Sequence, residues 1–483
     1  MLSIRRKKDY FFLTIAFFCA SVMCGEVLYI VSKNIISLTT GFIIGYIAIF
    51  LRQLLIGNLY SLYSFYLITS AFFMYDKFIV GPLLGKGVMS VNFVGRYVFP
   101  DWVGETFVFI AVISVLTIDI LYTIYNVKSN YLIGNSGEKS IYGSDSFVLT
   151  DDFYYKLGLT IMCCFIVPIV YKIILQVQYQ KSFANYAIAN FTGQEDKTPY
   201  PWWTKGSGTF FYIGFFLFIY SFPPIKKVKY GYFLFFIMML TTALKGGRAF
   251  FFTYILTLPL LYKKLYNRKL PKFALPLLAI LCVGAAIFLG NFRSNITGKL
   301  EKGILWEFLD GQTSTMGVPY VYIENHGELP YKHFPFIFNY LLNPIRSKFV
   351  NFGNNASDIL KQSNNYGGIA LYMLNPRAQS MGGGLGLNFL TEAYDFFGYF
   401  GVFFWSAILA IIMKLIDCMK YTSKNRKLLV VTILVYQYTL FLPRHSFFGI
   451  TDHIKYVIMF YILYLFLECR KYIGKIKLKG EII

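Results

Sequence analysis

Arg248 stands in Lys245-Gly246-Gly247-Arg248, a polar break in otherwise apolar sequence, and this pairing of cations with small residues suits an anionic ligand. A guanidinium presents a fork of donors matched to phosphate oxygens, and two glycines let a backbone approach its ligand closely. Charge at a span boundary needs a partner or a purpose, because it costs about 2 to 3 kcal/mol at a helix centre. An anionic lipid-linked substrate is the functional reading. A tight turn with a snorkelling arginine is the competing one. Arg293 and Arg377 add cations, and Pro443-Arg444-His445-Ser446 ends another apolar stretch. Several cations facing one cavity suit a pyrophosphate, whereas each alone has a surface ion pair or a polar helix cap as its plain alternative.

Moving a proton from a sugar hydroxyl near neutral pH calls for histidine or a carboxylate. Of the four histidines, His326, His333, His445 and His453, we take His333 and His445 as candidate bases, together with Glu392; a surface histidine is the ordinary alternative for each. Their spacing matches no zinc pattern, so neither a metal nor another cofactor is expected. Cys19, Cys24, Cys163, Cys164, Cys282 and Cys469 lie in or beside apolar segments, and Cys418 lies among basic residues, which supports neither a disulfide framework nor a metal site.

The elements that carry these residues follow from composition. With 56% apolar residues, 20% aromatics and only 14% charged residues, a chain of 483 residues cannot hide its apolar surface in one soluble core. Mean hydropathy is +0.53. A net charge of +22 is compatible with nucleic-acid binding, but the cations form no stripe interleaved with exposed aromatics, which argues against it. Instead, 22 of the 46 Lys and Arg fall in five clusters: Arg5 to Lys8, Lys226 to Lys229, Lys263 to Lys272, Lys414 to Lys427 and Arg470 to Lys479. Each abuts a long apolar run, so membrane lipid headgroups are the expected partners and the clusters mark the cytoplasmic face.

A crossing needs about 20 mostly apolar residues. That yardstick predicts an all-α, polytopic membrane protein of about twelve transmembrane helices, centred near 21, 45, 66, 114, 165, 215, 237, 255, 281, 404, 434 and 460. The first is an uncleaved span, and both termini are expected in the cytoplasm. Between the ninth and tenth spans lies a long external loop, residues 292–391. It has enough apolar residues to fold as a small helical cap. The chain then divides into a membrane part over 1–291, the loop over 292–391 and a second membrane part over 392–483, all one structural domain.

At these positions a resemblance appears. Gly246-Gly247-Arg248-Ala249 followed by Phe250, Phe251 and Phe252 is similar to the small-Arg-small element of O-antigen and oligosaccharide repeat-unit polymerases of the Wzy type. The run Gly382-Gly383-Gly384, Gly386, Asn388, Glu392, Tyr394, Gly398 and Gly401 resembles that family's Gly-rich stretch leading into a late span. The resemblance implies a multi-spanning, GT-C-like glycosyltransferase. It would use an undecaprenyl-pyrophosphate-linked oligosaccharide as donor and another as acceptor at the outer face of the bacterial inner membrane. The polymer would be an O-antigen of lipopolysaccharide, or a capsule, and a chain-length regulator is a candidate partner. Arg248 is the first choice for the leaving-group clamp, with Lys245, Arg293, Arg377 and Arg444 as helpers. Alternatives are a ligase using the same donor, and a lipid-linked oligosaccharide flippase.

Overall fold

Helices follow the apolar runs, and breaks in those runs decide which of them reach full membrane length. The structure, a computed structural model, describes residues 4–83, 87–92, 96–125, 148–179, 198–244, 248–268, 284, 313–350, 356–380, 385–419, 421 and 426–480. The first part comprises α1 (Ile4–Ser32), α2 (Ile35–Leu55), α3 (Leu62–Phe73), α4 (Asp76–Leu83), a two-stranded antiparallel hairpin β1 (Ser90–Asn92) and β2 (Arg96–Val98), α5 (Asp101–Ile124) and α6 (Val148–Tyr179). Next come α7 (Ser207–Tyr220), α8 (Val228–Leu244) and α9 (Arg248–Tyr266). Five short helices follow: α10 (Gly317–Glu324), α11 (Asn339–Arg346), α12 (Ala356–Ser363), α13 (Tyr366–Leu374) and α14 (Pro376–Ser380). The chain returns through α15 (Phe389–Cys418), α16 (Leu428–Phe441) and α17 (Thr451–Gly480).

Among the described residues six helices are long and apolar enough to cross a membrane: Lys8–Ser32, Ile35–Leu55, Asp101–Ile124, Asp152–Tyr179, Phe389–Cys418 and Phe447–Cys469. This is a membrane protein. The expected centres near 66, 215, 237, 255 and 434 fall instead on α3, α7, α8, α9 and α16, of 12, 14, 17, 19 and 14 residues. The apolar run around residue 66 is cut at Met74–Tyr75, so it becomes two helices in place of one crossing. The centre near 281 lies outside the described residues. Among the described residues the hairpin is the departure from an all-helical chain.

Contacts gather the described residues of three basic clusters, with Arg52, at one end of the bundle. Arg52, near the end of α2, lies 5.2 Å from the Phe11 ring at the start of α1 and pairs with Asp119 near the end of α5. Asp417, ending α15, accepts from Leu62 N–H at 2.9 Å and Tyr122 Oη at 2.7 Å. Lys264 donates to the Ile416 and Asp417 carbonyls at 2.7 and 3.0 Å, and Lys263 to the Tyr60 carbonyl at 2.8 Å. Lys227, Arg426 and Lys427 lie over the rings of Tyr155, Tyr220 and Tyr464. Arg52 is buried, and Lys263, Lys264, Arg426 and Lys427 are half-buried; cations withdrawn from water in this way require these acceptors and ring faces. All four histidines lie at the other end.

The short helices α10 to α14 close that other end. Tyr320 packs edge-on against Phe99 and Phe107 at 5.2 and 5.8 Å, while Tyr97 Oη donates to Glu324 at 3.0 Å. These contacts tie α10 to the hairpin and to the start of α5.

Candidate active site

The first turn of α15 fixes the centre of the site. Asn388 caps the helix, its Oδ1 accepting from Leu390 N–H at 2.9 Å, and its carbonyl takes a hydrogen bond from Tyr366 Oη at 2.5 Å. A capping side chain satisfies one of the free N–H groups at a helix start and sets where the following residues point. Glu392 is thereby held in the first turn, only 1% exposed. Its Oε2 accepts from Ser446 Oγ at 3.0 Å and from Phe447 N–H at 2.9 Å. The sequence pattern Pro443-Arg444-His445-Ser446, which ends α16, is thus bolted to the start of α15.

Arg444 lies within this bolted turn. A Cβ built on Gly386 would meet its Cγ and Nε at 3.8 Å and Thr315 Cγ2 at 3.0 Å. Gly386 also has φ +86°, so both the space and the backbone here call for glycine. Thr315 Oγ1 donates to the Phe73 carbonyl at 2.9 Å, which brings the end of α3 to the same place.

His445 is enclosed by rings: Phe441 at 4.9 Å, Tyr340 at 5.1 Å, Tyr438 at 5.8 Å and Phe250 at 6.3 Å between centroids. Tyr340 Oη lies 3.4 Å from Nε2. Burial lowers its pKa from 6.5 to about 4, because enclosure by rings disfavours the imidazolium. The ring is therefore neutral at pH 7 and a weaker base than a free imidazole. Phe250 also sits 4.1 Å from Phe441, which places the beginning of α9, where Arg248 is the first residue, against the end of α16. Phe252 stacks on Phe72 at 4.9 Å, completing the junction with α3.

The structure thus brings Glu392, Arg444, His445 and the helix start at Arg248 into one neighbourhood. It does not place the other candidates there. His333 is exposed: its Nε2 is 2.7 Å from the Lys361 carbonyl and its N–H donates to Asn364 Oδ1 at 2.8 Å, so it serves to tie the chain before α11 to α12. Arg377 is exposed on α14. Lys245 and Arg293 lie outside the described residues. His326 stacks on Trp102 at 5.4 Å, and His453 has Nε2 3.1 Å from Tyr254 Oη.

Asp395 is the residue that sequence reasoning missed. Its side chain is fully buried, pairs with Lys332, and accepts from Tyr322 Oη and Phe336 N–H, each at 2.8 Å. Burial and the Asp395 carboxylate raise the Tyr322 pKa, keeping that phenol a donor. Its spacing of three from Glu392 puts both carboxylates on adjacent faces of the first turns of α15, but its partners Lys332, Tyr322 and Phe336 are too far along the chain for that spacing to show its role. One fastens the Arg444–His445 turn and the other fastens the short helices.

What this arrangement offers chemically is a neutral imidazole and a guanidinium on one rigid turn, beside a helix N-terminus whose partial positive charge favours an anion. Among the described residues no group of His, Cys, Asp and Glu could hold a metal ion. Over residues 10–475 the sequence matches the family described as O-antigen polysaccharide polymerase Wzy. No curated protein and no solved structure matches the chain.

Proposed function

The chain belongs to the O-antigen polysaccharide polymerase Wzy family, and from that membership we propose that it joins undecaprenyl-pyrophosphate-linked oligosaccharide repeat units into a surface polysaccharide. The basic end of the bundle is placed in the cytoplasm with both chain termini, because cations are retained on that side of spans. The site then faces outward, with the short helices α10 to α14 of the external loop beside it. Transfer onto a sugar hydroxyl needs a base for the proton and fixed positive charge where the leaving pyrophosphate gathers electrons. His445 takes the proton, and Arg248 and Arg444 stabilise the pyrophosphate. Glu392 positions the turn that carries Arg444 and His445, in place of acting as the base. Lys245, Arg293 and Arg377 are assigned to glycan and pyrophosphate binding. The reaction assigned needs no metal.

The observation that carries this reading is the joining of Glu392 to Ser446 and Phe447, which sets Arg444 and His445 beside the start of α9. The test is a banding gel of surface glycan from cells lacking the gene, complemented with native protein, Arg248→Ala or Arg444→Ala at equal membrane levels. Deletion should leave single-repeat glycan; native protein should restore the ladder, and each variant should reduce it at least tenfold. Long polymer that forms in the deletion strain but stays on its lipid carrier would replace polymerisation with ligation.

A further inference from the structure

Helix α11 is amphipathic the wrong way round for a helix packed on a protein in water. Its polar side chains face inward: Asn339 is 7% exposed, and Asn343 Nδ2 donates to Asn339 Oδ1 at 2.6 Å. Its apolar side chains face outward. Leu341, Leu342 and Ile345 are 37%, 37% and 55% exposed. Hydrogen bonds from Ser347, Phe349 and Val350 back to Asn343 and Arg346 continue the turn, so that Phe349, 83% exposed, joins the same stripe. At 3.6 residues per turn these four side chains share an arc of about 100°. Exposing that stripe to water while hiding two amides is unfavourable on both counts.

Two observations identify what covers it. Helix α11 packs on α17 and on the turn before it, and Thr451 Oγ1 reaches the Tyr340 carbonyl at 3.4 Å. The face of α17 next to it carries the exposed residues Ile454, Ile458, Ile462, Leu465 and Phe466 within a membrane-length apolar segment. The stripe on α11 therefore prolongs a lipid-facing surface beyond the end of a span. Cations also flank it: Lys348 and Lys455 are exposed, and Arg346 lies 5.2 Å from the Phe334 ring. Apolar residues edged by Lys and Arg are the pattern of a helix lying in the headgroup layer.

We propose that α11 and the turn after it are seated in the bilayer leaflet opposite the basic clusters, with Leu341, Leu342, Ile345 and Phe349 in the acyl boundary and anionic phospholipid headgroups on the flanking cations. Its other face holds Tyr340 against His445, so the site opens beside this lipid contact, sideways from the leaflet. The experiment uses full-length protein with p-benzoylphenylalanine replacing Ile345 or Phe349, reconstituted in phosphatidylethanolamine and phosphatidylglycerol vesicles, irradiated and analysed by mass. The same residue replacing Ile458 reports insertion of the span. Phospholipid adducts at 345 and 349 within about threefold of those at 458 are expected. An adduct to a second copy of the chain, or labelling at 458 with none at 345 and 349, overturns the proposal.

Discussion

His445 gives the site a pH signature whose sign follows from its enclosure. Its pKa falls from 6.5 in the unfolded chain to about 4 in the folded one, so between these values the unfolded chain binds more protons. The stability it contributes is complete above pH 6.5 and is lost as pH drops towards 4. Melting curves in detergent from pH 7.5 to 4.5 should show this loss, and His445→Phe should reduce the slope, while His453, Tyr340 and Tyr438 remain as neighbours. Glu392 supplies a second expectation. Glu392→Ala leaves Ser446 Oγ and Phe447 N–H without their acceptor, which costs about 1 to 3 kcal/mol, whereas Glu392→Gln retains an acceptor there and should melt closer to native protein. At this scale the sequence was half legible. Arginines and histidines at the ends of apolar runs could be picked out because charge beside greasy sequence is conspicuous. That His333 would be occupied by the Lys361 carbonyl, and His445 walled by four rings, depends on contacts across many residues that no local spacing encodes.

Short helices behave differently from long ones in how they are held. Among the described residues α10 to α14 run 5 to 9 residues each, too short to be stable alone. Asp395 draws Lys332, Tyr322 and Phe336 onto α15, and Asp395→Ala should therefore free the whole layer, reading out as cleavage between 313 and 380 by an added protease at least tenfold faster than native. Helical folding of the long loop was legible from its apolar residues, but the anchoring carboxylate was not, because its lysine partner lies 63 residues away. Of the twelve expected spans, six fall on helices of membrane length among the described residues. Counting apolar residues cannot distinguish one crossing from two helices meeting at a break, as α3 and α4 do at Met74–Tyr75.

The bundle as a whole separates two kinds of polar group. At the basic end, Arg52, Asp119 and Tyr63 form a buried set, with Tyr63 Oη 2.8 Å from Asp119, and they couple α2, α3 and α5. Arg52→Ala strands the carboxylate and should destabilise the protein by about 3 to 5 kcal/mol, measured as a lower melting temperature in detergent, whereas removing both charges together should cost less. At the opposite end the polar groups fasten the candidate site. Between them α15 is interrupted: Phe397 and Gly398 leave helical geometry, Gly398 with φ 57° and ψ −140°. Below that joint Phe400, Phe403 and Phe404 are exposed, and above it Glu392 and Asp395 are fastened to other elements. Because the break falls between them, the direction of the lower segment is set by its own packing and that of the upper turn by the bonds of Glu392 and Asp395, so the two ends of one helix are aimed separately.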